Sequence, residues 1–180
     1  MAFLKRILGG GARPLAGGNA RGDQGRPGNV GIFAGLFVAS PEAVERWDIE
    51  SGLTPADWPA IEFKHLETVK LGTLESILTG VRYNDIDQDD LHNLVRQGGS
   101  EGPWIVRLRQ PLVEALAALD DSRVGPAGAA WADTDEFKAR PSDKPSRADI
   151  EDLSGAIMAM AALARFSKER GDPVFLMMGL

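Results

Sequence analysis

The sequence predicts a single α+β domain in which several helices pack on a small sheet of about three or four strands. Short apolar runs bounded by turn residues are typical of buried strands. Other segments combine end caps with apolar residues at helical spacing. The 180 residues are 43% hydrophobic and 26% charged, which suits a chain that buries one core. We place a flexible basic tail at residues 1–29 and the globular domain at residues 30–180.

The tail combines a short apolar start with a glycine-rich stretch. Residues 9–29 hold eight glycines and too little apolar surface to offset their chain entropy, which predicts a disordered linker. The preceding segment would form a short amphipathic helix with basic residues beside its apolar face. Its candidate contact residues are Phe3, Leu4, Lys5, Arg6, Ile7 and Leu8. They suit either a peripheral membrane or partner contact, or a frayed terminus.

Charge is distributed unevenly along the chain. The tail has five basic residues and one acidic residue, or +4, so a total of −6 leaves −10 for residues 30–180. An acidic body disfavours nucleic-acid binding, and the arginines of the tail lack interleaved aromatic residues for base stacking. Apolar runs fall short of the roughly 18 residues that cross a bilayer, and the leader has poor signal-peptide form. We expect a cytoplasmic protein without a transmembrane segment.

The domain is expected to begin with a buried strand at residues 32–39. A helix capped by Ser40 with Pro41 in its first turn follows, and a short turn starts at Thr54. Residues 65–70 suit either a strand or a helix. Residues 71–78 suit a helix that Gly80 ends.

In the second half of the chain, the sequence predicts a polar loop at residues 83–97 that runs into a short helix formed by Leu91, Leu94 and Val95. The later elements are a strand at 104–108, a helix from Pro111, a helix near 127–137 that buries Trp131, a surface loop at 138–144 and a final strand at 174–178. The clearest element is a helix from Ser146 to Arg170. Ser146 and Asp149 form its capping box, and Gly171 ends it.

The scarcity of reactive side chains restricts the possible chemistry. The chain has no cysteine, which excludes disulfides, thiol nucleophiles and thiolate zinc sites. A histidine-based triad would have to use His65 or His92. The glycine-rich tail lacks the Lys-Ser/Thr ending of a P-loop, and the sequence holds no G-x-S-x-G elbow. We therefore assign no catalytic residue, no metal ligand set and no cofactor.

An acidic segment is the main candidate for binding. Its candidate residues are Asp85, Asp87, Asp89, Asp90 and His92. A calcium loop of the EF-hand type would need glycine at the sixth position and glutamate at the twelfth, where this chain has Asp90 and Arg96. The alternative is a solvated loop in which Asp87 caps a helix.

The two histidines invite a second metal hypothesis. Glu62 and His65, and Asp89 and His92, each stand three residues apart, as in carboxylate-bridged di-iron bundles. Such sites need four long helices and two further inward glutamates, which this sequence does not predict.

Tryptophan supplies another candidate contact. Trp47 and Trp131 lie on predicted core faces, whereas Trp58 stands near Pro55 and Pro59 in an acidic segment. Partly exposed tryptophans often anchor interfaces, so Trp58 is the one that we expect to be exposed for binding.

Three motifs together resemble the bacterial YfbM-like family. They are the Ser40-Pro41-Glu42-Ala43-Val44 helix start, the Leu66-Glu67-Thr68-Val69-Lys70 segment and the Ile77-Leu78-Thr79-Gly80 helix end. The family has an aromatic residue and a histidine after the lysine, where this chain has Leu71, Gly72 and Thr73. The resemblance, over residues 32–180, implies an α+β fold and a cytosolic bacterial origin. The family is itself uncharacterised, so the resemblance implies no activity.

Two functions from different classes follow from these observations. The first is a non-enzymatic, soluble protein-binding module, such as an immunity or antitoxin-like protein that neutralises a basic toxin through an acidic surface. The alternative is a carboxylate- or metal-dependent hydrolase that uses the Asp85–Asp90 segment and His92.

Overall fold

A computed structural model describes residues 33–49, 54–100, 102–138, 140 and 142–179. These residues form six α-helices and five strands, which confirms the predicted α+β class. The strands are β1 (Phe33–Val38), β2 (Ala60–Lys64), β3 (Leu94–Gly99), β4 (Gly102–Arg107) and β5 (Val174–Gly179). The helices are α1 (Pro41–Arg46), α2 (Thr68–Thr79), α3 (Gln88–Leu91), α4 (Gln110–Ala117), α5 (Asp121–Ala132) and α6 (Arg147–Arg170). The predicted basic tail lies outside the described residues.

The strands form one antiparallel sheet in the order β2-β1-β5-β4-β3. The prediction of three or four strands was wrong, because the two edge strands β2 and β3 were missed. Both alternate half-buried with exposed residues and so lack the continuous apolar run of a central strand. The predicted helix through Leu94 and Val95 was also wrong. The helix α3 ends at Leu91, and the chain then enters β3 with a register shift between Leu94 and Arg96.

The predicted helix ends are confirmed where a local cap specifies them. The Ser40 hydroxyl accepts a hydrogen bond from the Ala43 N–H at the start of α1. Gly80 and Gly171 adopt left-handed φ values of 78° and 73° at the ends of α2 and α6. The Ser146–Asp149 capping box is present. The helix predicted near residues 127–137 instead spans Asp121–Ala132, because the Asp120 side chain caps its start.

Each face of the sheet packs against a different layer, because successive strand residues point to opposite sides. On one face, α2, α4, α5 and α6 contribute to an aliphatic core around Leu36, Leu176 and Ile157. This core contains the buried Trp131, whose Nε1 donates to the Lys70 carbonyl oxygen at 3.0 Å. Residues on the opposite face form the second cluster, which includes Phe37, Val44, Trp47, Ile49, Ile105, Phe175 and Met177 with the half-buried Trp58. Within the described residues, every helix is too short or too polar to cross a membrane.

Candidate functional site

Residues 83–92, which we term the acidic loop, join α2 to β3 at the surface. A 3-10 turn at Tyr83–Asp85 and the short helix α3 shape this loop. The Asp85 carboxylate pairs with Arg82, with 2.8 Å between Oδ2 and Nε. Asp87 caps α3 by accepting from the N–H groups of Asp89 and Asp90 at 3.0 and 3.4 Å. The sequence-derived capping role of Asp87 is therefore confirmed.

Arg109 fixes the acidic loop to the rest of the domain. Its Nε lies 3.1 Å from both carboxylate oxygens of Glu75 in α2. Its Nη1 donates to the Asp90 carboxylate at 2.7 Å and to the Asp87 carbonyl oxygen at 3.2 Å. The Glu75 side chain is only 3% exposed, and a carboxylate buried to this degree needs a charged partner. One guanidinium thus compensates a buried charge and holds the loop in place.

The histidines occupy separate structural positions. The exposed His92 ends α3, and its Nδ1 lies 2.8 Å from the Thr68 hydroxyl at the start of α2. His65 lies in the turn between β2 and α2 with a left-handed φ of 58°. The Lys70 ammonium donates to the His65 carbonyl oxygen at 2.6 Å. Both histidines therefore lie near the start of α2, His65 in the turn before it and His92 in contact with its first residue.

The acidic loop presents its carboxylates separately. Among the described residues, histidine and carboxylate side chains form no group of three that could hold a metal ion. A small cavity of about 10 Å³ beside Arg109 is lined by Glu75 but by neither His92 nor the carboxylates of the loop. Such a cavity accommodates about one water molecule. The loop can therefore present negative charge to a partner. Its carboxylates do not converge on one point where they could act together on a substrate.

Exposed aliphatic side chains flank the acidic loop in the chain. Val81 precedes the loop and is 44% exposed, and Leu94 and Val95 follow it at 49% and 40%. Carboxylates beside exposed aliphatic groups combine long-range attraction with apolar contact area, as interfaces do.

Trp58 lies on the opposite face of the sheet. Its ring stacks on Phe37 with centroids 5.3 Å apart and meets the edge of Trp47 at 5.4 Å. Trp58 is therefore half-buried, whereas the sequence suggested that it would be exposed. The Trp58 ring contacts Phe37 and Trp47 within the second cluster, so only the exposed part of the ring is open to a partner.

Three residues of this arrangement were missed by sequence reasoning. Glu75 and Arg109 are 34 positions apart, so no local spacing signals their pairing. Arg96 of β3 donates through Nη1 to the carbonyl oxygens of Val44, at 2.7 Å, and of Trp47. These acceptors end the short helix α1, about 50 positions earlier in the chain.

Fold and site together define a single-domain α+β protein with a five-stranded antiparallel sheet and a charged surface loop. In structure it is similar to YfbM from Escherichia coli, whose crystal structure is titled that of a protein of unknown function. The two are 15% identical with a TM-score of 0.41, over 82% of this chain and 99% of that chain. The resemblance noted from the sequence is thus confirmed as a weak likeness of fold. No family model and no curated protein matches the chain.

Proposed function

We propose that the protein is a protein-binding module whose acidic loop recognises a basic partner. The observation that carries this proposal is that the loop is anchored by Arg109 at Asp87 and Asp90 and still presents carboxylates to solvent. Asp90 contacts Arg109 and remains 47% exposed at its side chain, and Asp85 remains 49% exposed. Asp89 is exposed and has no side-chain partner in the part of the chain that the structure describes.

The distribution of basic groups supports the proposal. Residues 30–180 carry a net charge of −10, as the composition requires. Several arginines direct their guanidinium groups to backbone carbonyl oxygens and so have fewer donors free to face a partner. These are Arg96, Arg109, Arg123 and Arg165. A surface with this balance attracts a basic protein at long range and repels acidic ones.

The fixed loop also lowers the entropic cost of association. Binding that orders a mobile loop loses part of its free energy to that ordering, whereas an anchored loop loses less. The flanking Val81, Leu94 and Val95 add apolar contact area. A concrete form of this function is an immunity or antitoxin-like protein that neutralises a basic toxin.

The test compares two double charge reversals with the same change in net charge. Asp85→Lys with Asp89→Lys alters the acidic loop, and Asp121→Lys with Asp135→Lys alters exposed carboxylates elsewhere. Asp89 and Asp121 both lie in the first turn of a helix, so the effect on the helix dipole is matched. Asp87 and Asp90 are left unchanged because they cap α3 and contact Arg109.

A partner captured from native lysate with the wild-type protein is then titrated against both variants by calorimetry. We expect the loop variant to bind at least about tenfold more weakly and the control to bind within about threefold of wild type. The affinity of the wild type should also fall as salt is raised. Equal losses for the two variants, or binding that salt does not affect, would exclude the acidic loop as the contact.

A further inference from the structure

A separate cavity is lined by the end of α5, the start of α6 and described residues of the connection between them. Its volume is about 530 Å³. Sites for small ligands commonly have volumes of about 300–1,000 Å³. We term it the α5–α6 cavity. None of its lining residues belongs to the acidic loop or its arginine anchor.

The apolar part of this cavity is preformed. Ala132, Phe137 and Leu153 line it. The Phe137 ring meets the buried Trp131 edge to face with centroids 5.1 Å apart, and the Lys70 ammonium lies 5.1 Å from the centroid of the Phe137 ring. Phe137 nevertheless remains 37% exposed. A ring fixed by two neighbours and still open to solvent is a ready apolar surface for a ligand.

Three of the five charged residues that line the cavity are occupied by local contacts. The Lys138 ammonium lies 2.8 Å from the Asp133 carboxylate. Asp143 accepts a hydrogen bond from the Arg140 N–H at 3.1 Å. Asp149 accepts from the hydroxyl and the N–H of Ser146 in the capping box of α6. These groups serve the connection and the start of α6.

Lys144 and Asp152 remain. Both line the cavity, and neither forms a hydrogen bond or an ion pair with any residue that the structure describes. In particular, they do not pair with each other although they border the same space. One cation and one carboxylate are thus left separated around an apolar surface.

We propose that the α5–α6 cavity binds a small zwitterion with an apolar body, of the amino acid or short peptide class. The ligand carboxylate contacts the Lys144 ammonium, the ligand ammonium contacts the Asp152 carboxylate, and the apolar body packs on Phe137. A ligand with both charges satisfies the two unpaired groups together, whereas a ligand with one charge leaves the other unmatched. This inference does not depend on the proposed recognition of a basic protein.

The experiment uses the full chain and the dipeptide Leu-Leu as the probe. Binding is followed by NMR at the amides of Ala132 and Leu153 and at the Trp131 indole, and the affinity is taken from the titration. We expect saturable shifts at these positions. N-acetyl-Leu-Leu-amide has the same apolar side chains without either charge, so it should bind at least about tenfold more weakly. Absence of saturable shifts, or equal binding of the blocked dipeptide, would overturn the proposal.

Two variants test which protein residue contacts each charged group of the ligand. Lys144→Gln and Asp152→Asn should each weaken Leu-Leu binding by about three- to tenfold, as expected for partly solvated ion pairs. N-acetyl-Leu-Leu should be insensitive to Asp152→Asn, and Leu-Leu-amide should be insensitive to Lys144→Gln. Both residues are exposed, so thermal melting should match that of wild type.

The matched control is Glu151→Gln, an exposed neighbour on α6 that pairs with Arg147 and does not line the cavity. This variant should bind Leu-Leu like wild type. If it weakens binding as much as Asp152→Asn does, the effect is one of general charge and the assignment of Asp152 is wrong.

Discussion

The two faces of the sheet are stabilised in different ways. The helical face buries a broad aliphatic core beneath four helices, and its Glu75 carboxylate is compensated by Arg109. The opposite face carries a smaller cluster, rich in aromatic side chains, that includes the short helix α1. There, Arg96 binds the carbonyl oxygens of Val44 and Trp47. Each face therefore has one arginine with a structural role. Arg109 neutralises a buried carboxylate, whereas Arg96 donates to uncharged backbone carbonyl oxygens at the end of a helix.

The difference teaches that the free energy lost on removing an arginine depends on what it leaves behind. A carboxylate left unpaired in the core keeps its full desolvation penalty. Carbonyl oxygens at a helix end can instead rebind water once the helix loosens. The helical face should therefore depend more strongly on its arginine than the opposite face does.

The largest expected effect is at Arg109. Arg109→Leu leaves the Glu75 carboxylate buried without its partner, and we expect a loss of about 3–5 kcal/mol in the free energy of unfolding. The measurement is urea denaturation. Amide hydrogen exchange across residues 83–92 should also accelerate, because Asp90 and the Asp87 carbonyl lose their anchor.

The control for Arg109 is Arg82→Leu, which removes an exposed pair with Asp85. It should lower the free energy of unfolding by less than about 1 kcal/mol. The double variant Glu75→Leu with Arg109→Leu should recover part of the loss, since no buried charge then remains. Equal losses for Arg109→Leu and Arg82→Leu would contradict the role of burial.

Arg96 should have a smaller effect. Arg96→Ala removes the charged donor that holds α1 on the sheet, and we expect a loss of about 1.5–3 kcal/mol. Tryptophan emission should shift to the red, because Trp47 is 9% exposed and follows α1 directly. Arg46→Ala is the control, since Arg46 is exposed and donates to the Glu42 carbonyl oxygen within α1. Unchanged emission in Arg96→Ala would show that α1 stays in place without this contact.

A pair of glycines tests how closely the helical face is packed. A Cβ at Gly128 in α5 would clash with the Ser154 hydroxyl and lie 3.0 Å from the Ser154 backbone nitrogen in α6. Gly128→Ala should therefore push the two helices apart and lower stability by about 1–3 kcal/mol. Gly155→Ala, one residue after Ser154, meets open space and should raise stability by about 0.5–1 kcal/mol. Thermal melting should give shifts of opposite sign, and shifts of the same sign would refute the close packing.

The extent of successful prediction also differs between local and long-range features. The helix α6 was predicted in full because the residues that specify its two ends, the cap at Ser146 and Gly171, lie within one turn of those ends. The central strands β1 and β5 were predicted because both of their faces are buried and their apolar runs are continuous. The edge strands were missed because half of each faces solvent.

The candidate site was predictable only as a set of charges. The acidic loop and the cap at Asp87 follow from adjacent residues. The contacts that position the loop, from Arg109 to Glu75 and from His92 to Thr68, join residues 34 and 24 positions apart. Such pairs depend on how helices pack, and the residue types alone do not specify which arginine meets which carboxylate.

The smallest expected effect concerns the start of α6. Hydrogen bonds from the Ser146 hydroxyl and N–H hold the pKa of Asp149 below its ordinary value of 3.8. Because the pKa is lower in the folded state, the carboxylate stabilises the fold above the unfolded pKa, and this contribution is lost as pH falls through the folded pKa. Ser146→Ala should raise the pKa of Asp149 toward its ordinary value and flatten the stability profile below about pH 4.

Carboxyl NMR titration and thermal melting at acidic pH measure both effects. Asp120 is an internal control, because hydrogen bonds from Ser122 lower its pKa at the start of α5, away from the substituted cap. Its titration should be the same in wild type and Ser146→Ala. If the pKa values of Asp120 and Asp149 rise together, the substitution has loosened the whole helical layer. The two helix starts would then be coupled, and the helical face could not be treated as a set of separately capped helices.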